Sequence, residues 1–277
     1  MRKYIQIQTT SICNAKCKIC PYVNSYLAKH KAVMTDEVFN RIVSELARIQ
    51  WEIPKLALYK QNEPLTDPNL EARIEHIKAA VPFKYLEIST NCSLLTAART
   101  EKLIQASKDI SFHVELSFHG AKMEQYETMT GLNYDVSVNN VVNFLKAVDP
   151  FPNIECRIVS ASGFGSLLDV IKDVLGGLTR WPKVKMFNPT TRAGNVQGEF
   201  VSATAPPPKP CTRYRNWIHF NWLGDLIMCC NDYENTQLFG NIMDMKLEQL
   251  FESFERELPI RLKDPNCICH KCDQRLV

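Results

Sequence analysis

Short β-like runs alternate along this chain with amphipathic helical patterns. The strand-like run Tyr4-Ile5-Gln6-Ile7-Gln8 comes first. Thr35-Asp36-Glu37 then marks a helix start, and Val38, Phe39, Ile42, Val43, Leu46 and Ile49 follow at helical spacing. Leu56-Ala57-Leu58-Tyr59 is the next strand, and Asp67-Pro68-Asn69 opens a helix carrying Leu70, Ile74 and Ile77. The alternation continues with strands at 85–90, 112–117, 154–160 and 184–187, and with helices near 97–107, 136–148 and 167–175 between them. Strands separated by helices of this length imply parallel βαβ units. Six such units predict an α/β chain in which residues 1–200 form a partial (β/α)6 TIM-like barrel.

Beyond residue 200 the pattern changes. Ala203-Thr204-Ala205-Pro206-Pro207-Pro208-Lys209-Pro210 is proline-rich, stiff and extended rather than helical, so residues 201–210 read as a linker. Residues 211–277 are few for an independent hydrophobic core. Within them Trp217-Ile218-His219-Phe220 and Asp225-Leu226-Ile227-Met228 read as a β-hairpin turning at Leu223-Gly224, and a helix is expected near Leu247 to Glu257.

Composition narrows the class. With 277 residues and 45% hydrophobic content, the chain can bury one large core plus a small appendage. A net charge of +3, with basic residues scattered among nearly as many acids, implies neither nucleic acid nor an anionic membrane as partner, nor a polyanionic substrate. The first residues lack a signal-peptide core, and no run is apolar and long enough to span a bilayer. A cytoplasmic protein is expected.

Eleven cysteines without a secretory signal argue for metal or redox use rather than a disulfide framework. They fall at 13, 17 and 20, singly at 92 and 156, and then at 211, 229, 230, 267, 269 and 272. The two clusters, at opposite ends of the chain, point to two inorganic centres. Cys13, Cys17 and Cys20 have C-x3-C-x2-C spacing directly after the first strand. A [4Fe–4S] cluster normally takes four thiolates, so three leave one iron open for a small ligand. A non-catalytic iron–sulfur carrier would want every iron coordinated. Cys92 and Cys156 read as small buried hydrophobes.

The triplet after a first strand resembles the radical S-adenosylmethionine (SAM) superfamily. That resemblance implies a six-strand open barrel, SAM chelated at the open iron, and chemistry at the C-terminal ends of the strands, where barrels of parallel strands place it. Asn62-Glu63-Pro64 resembles the family's Gly-Glu-Pro segment, with Asn62 in place of the Gly, and Glu63 would accept the SAM ammonium. Asn91, after strand three, would also serve the cofactor. Ser117 would donate to the SAM carboxylate or ribose, and Arg157 would pair with the carboxylate. Tyr126-Glu127-Thr128-Met129-Thr130-Gly131 resembles a segment ending Arg-Gly, with Thr130 in place of the Arg. Cys92 likewise stands where relatives commonly carry Gly. His119, one residue past the end of strand four, would bind substrate or move a proton. Arg192, in Arg192-Ala193-Gly194-Asn195, would bridge two clusters or grip a polar substrate.

The tail resembles the auxiliary-cluster appendages called Twitch and SPASM domains. Matching residue by residue gives Cys211, Cys229, Cys269 and Cys272 as ligands of one extra [4Fe–4S] cluster, with Cys267 an alternative to Cys269. The longer SPASM form carries more cysteines after the last of these, so a single auxiliary cluster is expected, and a structural zinc site is the competing reading. Cys230 follows a proposed ligand and would point to the opposite side of a strand, which makes it a candidate hydrogen donor.

The resemblance implies cleavage of SAM to a 5′-deoxyadenosyl radical that takes hydrogen from a carbon of a small molecule. An electron donor such as flavodoxin or ferredoxin would feed the first cluster. A sugar or aminocyclitol of an antibiotic pathway is the expected substrate class, with epimerisation through Cys230 ahead of dehydrogenation through the auxiliary cluster. Peptide modification is a further alternative, disfavoured by the absence of a leader-binding segment before the first strand.

Overall fold

The structure is a computed structural model and describes residues 4–120, 122–161, 177–196, 211 and 213–272. The helix expected over 167–175 and the proline-rich linker lie outside these residues. Six parallel strands carry the N-terminal part: β1 (Tyr4–Ile7), β2 (Lys55–Ala57), β3 (Leu86–Thr90), β4 (Phe112–Ser117), β5 (Ile154–Ser160) and β6 (Lys183–Met186). They pair in sequential order with parallel registers such as Ile88↔Val114 and Leu116↔Ile158. This is the wall of an open (β/α) barrel.

Helices α1 (Tyr26–Lys29), α2 (Asp36–Leu46), α3 (Leu70–Ala80), α4 (Ala97–Ala106), α5 (Met123–Thr130) and α6 (Tyr134–Val148) connect the strands. Three starts have side-chain caps: Thr35, Thr96 and Asn133 accept from the N–H groups of Val38, Arg99 and Val136, satisfying donors that a first helical turn leaves orphaned. β4 shows how the wall divides. Phe112, Val114 and Leu116 are buried in the main core, while His113, Glu115 and Ser117 on the opposite face line cavities inside the barrel, as the two-residue period of a strand requires. The barrel interior is therefore polar. An ion pair holds the outer layer: Arg73 Nε lies 3.0 Å from Asp67 Oδ2, both residues almost fully buried.

The tail is α7 (Arg213–Asn216), β7 (Trp217–Phe220), β8 (Asp225–Ile227), β9 (Leu238–Asn241) and α8 (Leu247–Arg261). The expected hairpin is β7 with β8, antiparallel. It does not stand apart from the barrel: β7 runs parallel to β1 in the register Ile5↔Ile218, so one nine-stranded sheet passes from β6 through β1 to β9. Buried Gln6 Oε1 meets His219 Nδ1 at 2.7 Å across that junction, and Glu45 Oε2 accepts from the Leu247 N–H at the start of α8. Gly224 turns the hairpin at φ +87, and a Cβ there would stand 2.9 Å from Ile242 and from Val38. Only glycine allows that turn against α2. Among the described residues no helix is long and apolar enough to cross a membrane.

Candidate active site

At the C-terminal ends of the barrel strands lies a cavity of about 550 Å³. Cys13, Cys17 and Cys20 line it, together with Asn62, Glu63, Asn91, Ser117, His119, Arg192 and Cys230. Residues far apart in sequence meet here because every βα loop of a parallel barrel emerges at the same end.

The triplet loop is fixed by its backbone rather than by its thiols. The Tyr22 hydroxyl accepts from the Cys13 N–H and donates to the Ser11 carbonyl, both at 2.9 Å. The Lys16 and Lys18 N–H groups cap the carbonyls of Thr130 and Met129 at the C-terminal end of α5, where a helix leaves acceptors unused. Gly131 closes that helix at φ +68, and a Cβ there would press on the Lys16 side chain at 3.3 Å. Thr130, which stands where the family carries Arg, spends its hydroxyl on the Tyr126 carbonyl. No disulfide joins any of the cysteines. Burial pushes the Cys13 thiol up to about 12 and the Cys17 thiol higher still, with the neighbouring thiols and Glu63 adding to it. Two thiols that resist ionisation beside a third suit a site in which iron supplies the countercharge.

Glu63 is 2% exposed. Its Oε1 accepts from Thr90 Oγ1 at 2.7 Å and Leu65 N at 3.1 Å, and its Oε2 from Asn91 N at 2.7 Å. A carboxylate accepts about four hydrogen bonds, so one position remains for an ammonium. Burial pushes this carboxyl up to about 7 despite its donors; a bound cation would return it to the ionised form. Asn62 keeps the loop shape with its Oδ1, which accepts from Lys60 N, while its buried Nδ2 has no hydrogen-bond partner. Lys60 Nζ and Gln61 Oε1, also buried in the cavity wall, have none either. Orphaned buried polar atoms are costly. They fit a polar occupant such as SAM.

Asn91 Nδ2 reaches Asn14 inside the triplet loop at 2.8 Å, so it acts through that loop. Ser117 Oγ lies 3.2 Å from Ser89 Oγ, which donates to Glu115. Arg157 does not join them. It lies outside the cavity, 3.9 Å from Glu115, with 38% of its side chain exposed, because its place on β5 is level with the middle of β4 and not with its end. The expected carboxylate contact is corrected accordingly. His119 Nδ1 accepts from Ala161 N at 3.3 Å, which leaves the ring proton on Nε2. Burial, with Arg192 second, lowers its pKa to about 4, so at neutral pH it offers a donor and no acid proton.

The opposite wall comes from the tail. Cys230 Sγ accepts from Arg213 Nη1 at 2.6 Å, and its carbonyl accepts from Gln61 Nε2 at 2.7 Å. Buried Tyr233 places its hydroxyl 3.6 Å from Cys20 Sγ, joining the tail to the first triplet. Arg192, at φ +50 in the left-handed region, lines the cavity together with Tyr233, Cys20 and Cys230.

Next to it, Ala193 lines a separate small cleft together with Cys211, Cys229, Cys269 and Cys272. These are the four thiols expected to hold an auxiliary cluster. Cys267 is fully buried beside Met228 and is not in that lining, which favours Cys269 as the ligand. Among the described residues no three His, Cys, Asp or Glu side chains converge on one point as ligands of a single ion do; a cubane spreads its thiolates over separate irons. The sequence reading missed Tyr233, Lys60 and Arg213. Lys60 immediately precedes the Glu63 loop and Arg213 follows Cys211 by two, but nothing in their spacing marks them.

Residues 211–273 match the SPASM family, an iron-sulfur cluster-binding domain. Among solved structures the chain resembles BtrN in complex with AdoMet and 2-DOIA, at 17% identity and TM-score 0.62 over 97% of this chain and 92% of that one. It also resembles Streptococcus suis SuiB bound to precursor peptide SuiA, at 15% identity and TM-score 0.70 over 99% and 70%. Native anSMEcpe with bound AdoMet is similar at 16% identity and TM-score 0.65 over 97% and 86%. No curated protein sequence matches the chain. The fold is that of radical SAM enzymes, with a SPASM/Twitch-like iron–sulfur domain at the C-terminal end.

Proposed function

We propose that this protein is a radical SAM enzyme that abstracts a hydrogen atom from a small molecule held between its two cysteine groups. The observation that carries this reading is the single cavity lined by Cys13, Cys17 and Cys20 on one side and by Cys230 on the other. Bound to the triplet, a [4Fe–4S] cluster with an open iron supplies the electron that cleaves SAM to methionine and a 5′-deoxyadenosyl radical. Cys211, Cys229, Cys269 and Cys272 hold a second cluster. In this chain Glu63 receives the SAM ammonium, Asn91 steadies the triplet loop, and Ser117 offers a hydroxyl to SAM.

Anaerobically reconstituted protein should carry about eight irons per chain and form 5′-deoxyadenosine from SAM when given dithionite. Cys17→Ala should abolish that product; its persistence would remove the triplet from the chemistry. A flavodoxin or ferredoxin is the physiological donor in this reading, and a sugar or aminocyclitol is the substrate class.

For the fate of the substrate radical, epimerisation with Cys230 as hydrogen donor is supported by the position of this thiol in the cavity. A second reading, dehydrogenation, is supported by the guanidinium of Arg213 on Cys230 Sγ. A charge-assisted donor favours the thiolate, and a thiolate has no hydrogen atom to return but can accept a proton; an auxiliary cluster held by Cys211, Cys229, Cys269 and Cys272 would supply the acceptor for the electron. The two separate cleanly: turnover in deuterium oxide yields a deuterated product of otherwise unchanged mass if Cys230 donates, and a product lighter by two hydrogens if the substrate is oxidised. Unchanged turnover in Cys230→Ala would reject both roles for this residue.

A further inference from the structure

The charges lining the cavity are unevenly neutralised. Its acids are occupied: Glu63 has three donors, Glu115 has Ser89 and Arg157, and Glu87, just below it, has Lys55 and Tyr59. The bases that share the cavity with Cys230 are not. Lys60 Nζ is buried without a hydrogen-bond partner, and the guanidinium of Arg213 rests on the thiol of Cys230. Arg192, Arg213 and Lys60 line the same cavity as Cys230, and Gln61, next to Lys60, bonds the Cys230 carbonyl at 2.7 Å. The carboxylates nearest Lys60 are spent elsewhere, since Asp232 accepts from Thr236 and Gln237 and Asp225 from Asn221 and Asn241.

A buried ammonium without a partner is expensive, and among the described residues Lys60 Nζ is one, sharing with the half-buried Arg192 and Arg213 a cavity of about 550 Å³. The auxiliary cluster does not account for them, because Lys60 and Arg192 are absent from the lining of its cleft and only Arg213 touches both spaces. The SAM carboxylate can claim one cation and leaves the others.

We propose that the Cys230 end of the cavity is an oxyanion site, where Lys60, Arg213 and Arg192 hold a carboxylate or phosphate of the substrate. The inference rests on the radical SAM reading for its assumption that a substrate lies there, and narrows the substrate class to a sugar bearing a single anionic group, setting aside the cationic aminocyclitol. A guanidinium fork and a point-charge ammonium on one group fit such an anion well, and the anion would fix which substrate carbon faces the radical.

The test uses the full chain with both clusters loaded and SAM saturating, without reductant, at constant ionic strength. Inorganic phosphate and, separately, acetate are titrated calorimetrically. Saturable binding of one anion is expected, weakened about tenfold or more in Lys60→Gln, as loss of a charge-assisted contact implies, and largely restored in Lys60→Arg. Tighter phosphate identifies a phosphorylated substrate, and tighter acetate a carboxylated one. Failure of both anions to saturate, or equal binding by Lys60→Gln, overturns the site. Unchanged anion binding with a shifted midpoint potential of the auxiliary cluster in Lys60→Gln also overturns it, giving the charge to the cluster. Intact anion binding in protein that forms no 5′-deoxyadenosine would instead remove the radical SAM reading and leave the site standing.

Discussion

The two walls of the cavity are built on opposite principles. On the barrel side, Glu63, Asn91, Thr90 and the triplet loop are bound to one another by internal hydrogen bonds, so the geometry is set before anything arrives. Where the barrel faces the tail, Lys60, Gln61 and Asn62 of the loop after β2 keep buried polar atoms without partners, and Arg192 and Arg213 line the cavity beside Cys230. A wall saturated by the protein serves a cofactor of constant shape. A wall left incomplete serves an occupant that completes it, and specificity is written there.

The sharpest way to break this comparison is to delete one metal group and ask whether the other survives. Cys229→Ala should lower iron from about eight to about four per chain while dithionite-dependent cleavage of SAM continues, because Cys229 lines only the tail cleft and the triplet only the main cavity. Loss of SAM cleavage in that variant would show that the walls are one device, with the contact from Tyr233 to Cys20 as the candidate coupling.

A smaller effect is expected from Glu63→Gln. The amide keeps one acceptor oxygen, but its NH2 would face a donor, either the Asn91 N–H or the Thr90 hydroxyl and Leu65 N–H, and the ammonium of SAM would lose its partner. An unsatisfied buried donor costs about 1–3 kcal/mol. Apo-protein stability in urea should fall by that amount and SAM affinity by about tenfold. Unchanged stability with weaker SAM would mean that the three hydrogen bonds are incidental to the wall.

His119 sharpens the comparison through pH. Its pKa is lowered to about 4 by burial, against roughly 6.5 in the unfolded chain, so the unfolded state takes up the proton first as pH falls. Stability from this group is complete above about 6.5 and is lost as pH falls toward about 4. His119→Gln, which keeps an N–H donor, should flatten that acid loss and reduce turnover by a few fold at most, whereas His119→Ala should cost more turnover. Equal damage from both would assign His119 to packing.

The barrel was legible because each strand is a bounded β-like run between amphipathic helices, and strands four and five begin and end where the pattern places them. Thr35-Asp36-Glu37 likewise announced α2. Helix α5, Met123–Thr130, was not, since the segment from Tyr126 to Gly131 was matched as a motif and given no secondary structure. The cysteines disclosed themselves by spacing. Lys60, Arg213 and Tyr233 did not, because only the return of β7 onto β1 brings the tail to the triplet, and no local pattern encodes that parallel pairing. Arg157 misled for the reverse reason: strand membership was readable, but its level along β5 depended on the register with β4.

The least effect, and the most informative about departures from the family pattern, belongs to Cys92. It is fully buried at φ +68, the conformation for which relatives' glycine is suited, and its backbone is held there by Asn140 Nδ2 on its carbonyl and Thr90 Oγ1 on its N–H. A non-glycine residue in the left-handed region costs roughly 1–2 kcal/mol. Cys92→Gly relieves that strain but exposes the unfolded chain's extra freedom, about 0.5–1 kcal/mol, and gives up a buried side chain worth roughly 1–2 kcal/mol. The contributions oppose, so the urea midpoint should move little, with a net loss of about 1 kcal/mol. Cys92→Val keeps the apolar volume and adds a β-branch where the backbone tolerates it least, and should be less stable than the glycine variant by about 1–3 kcal/mol. A valine variant as stable as glycine would mean that packing under the Asn91 turn, and not backbone conformation, decides what this position accepts.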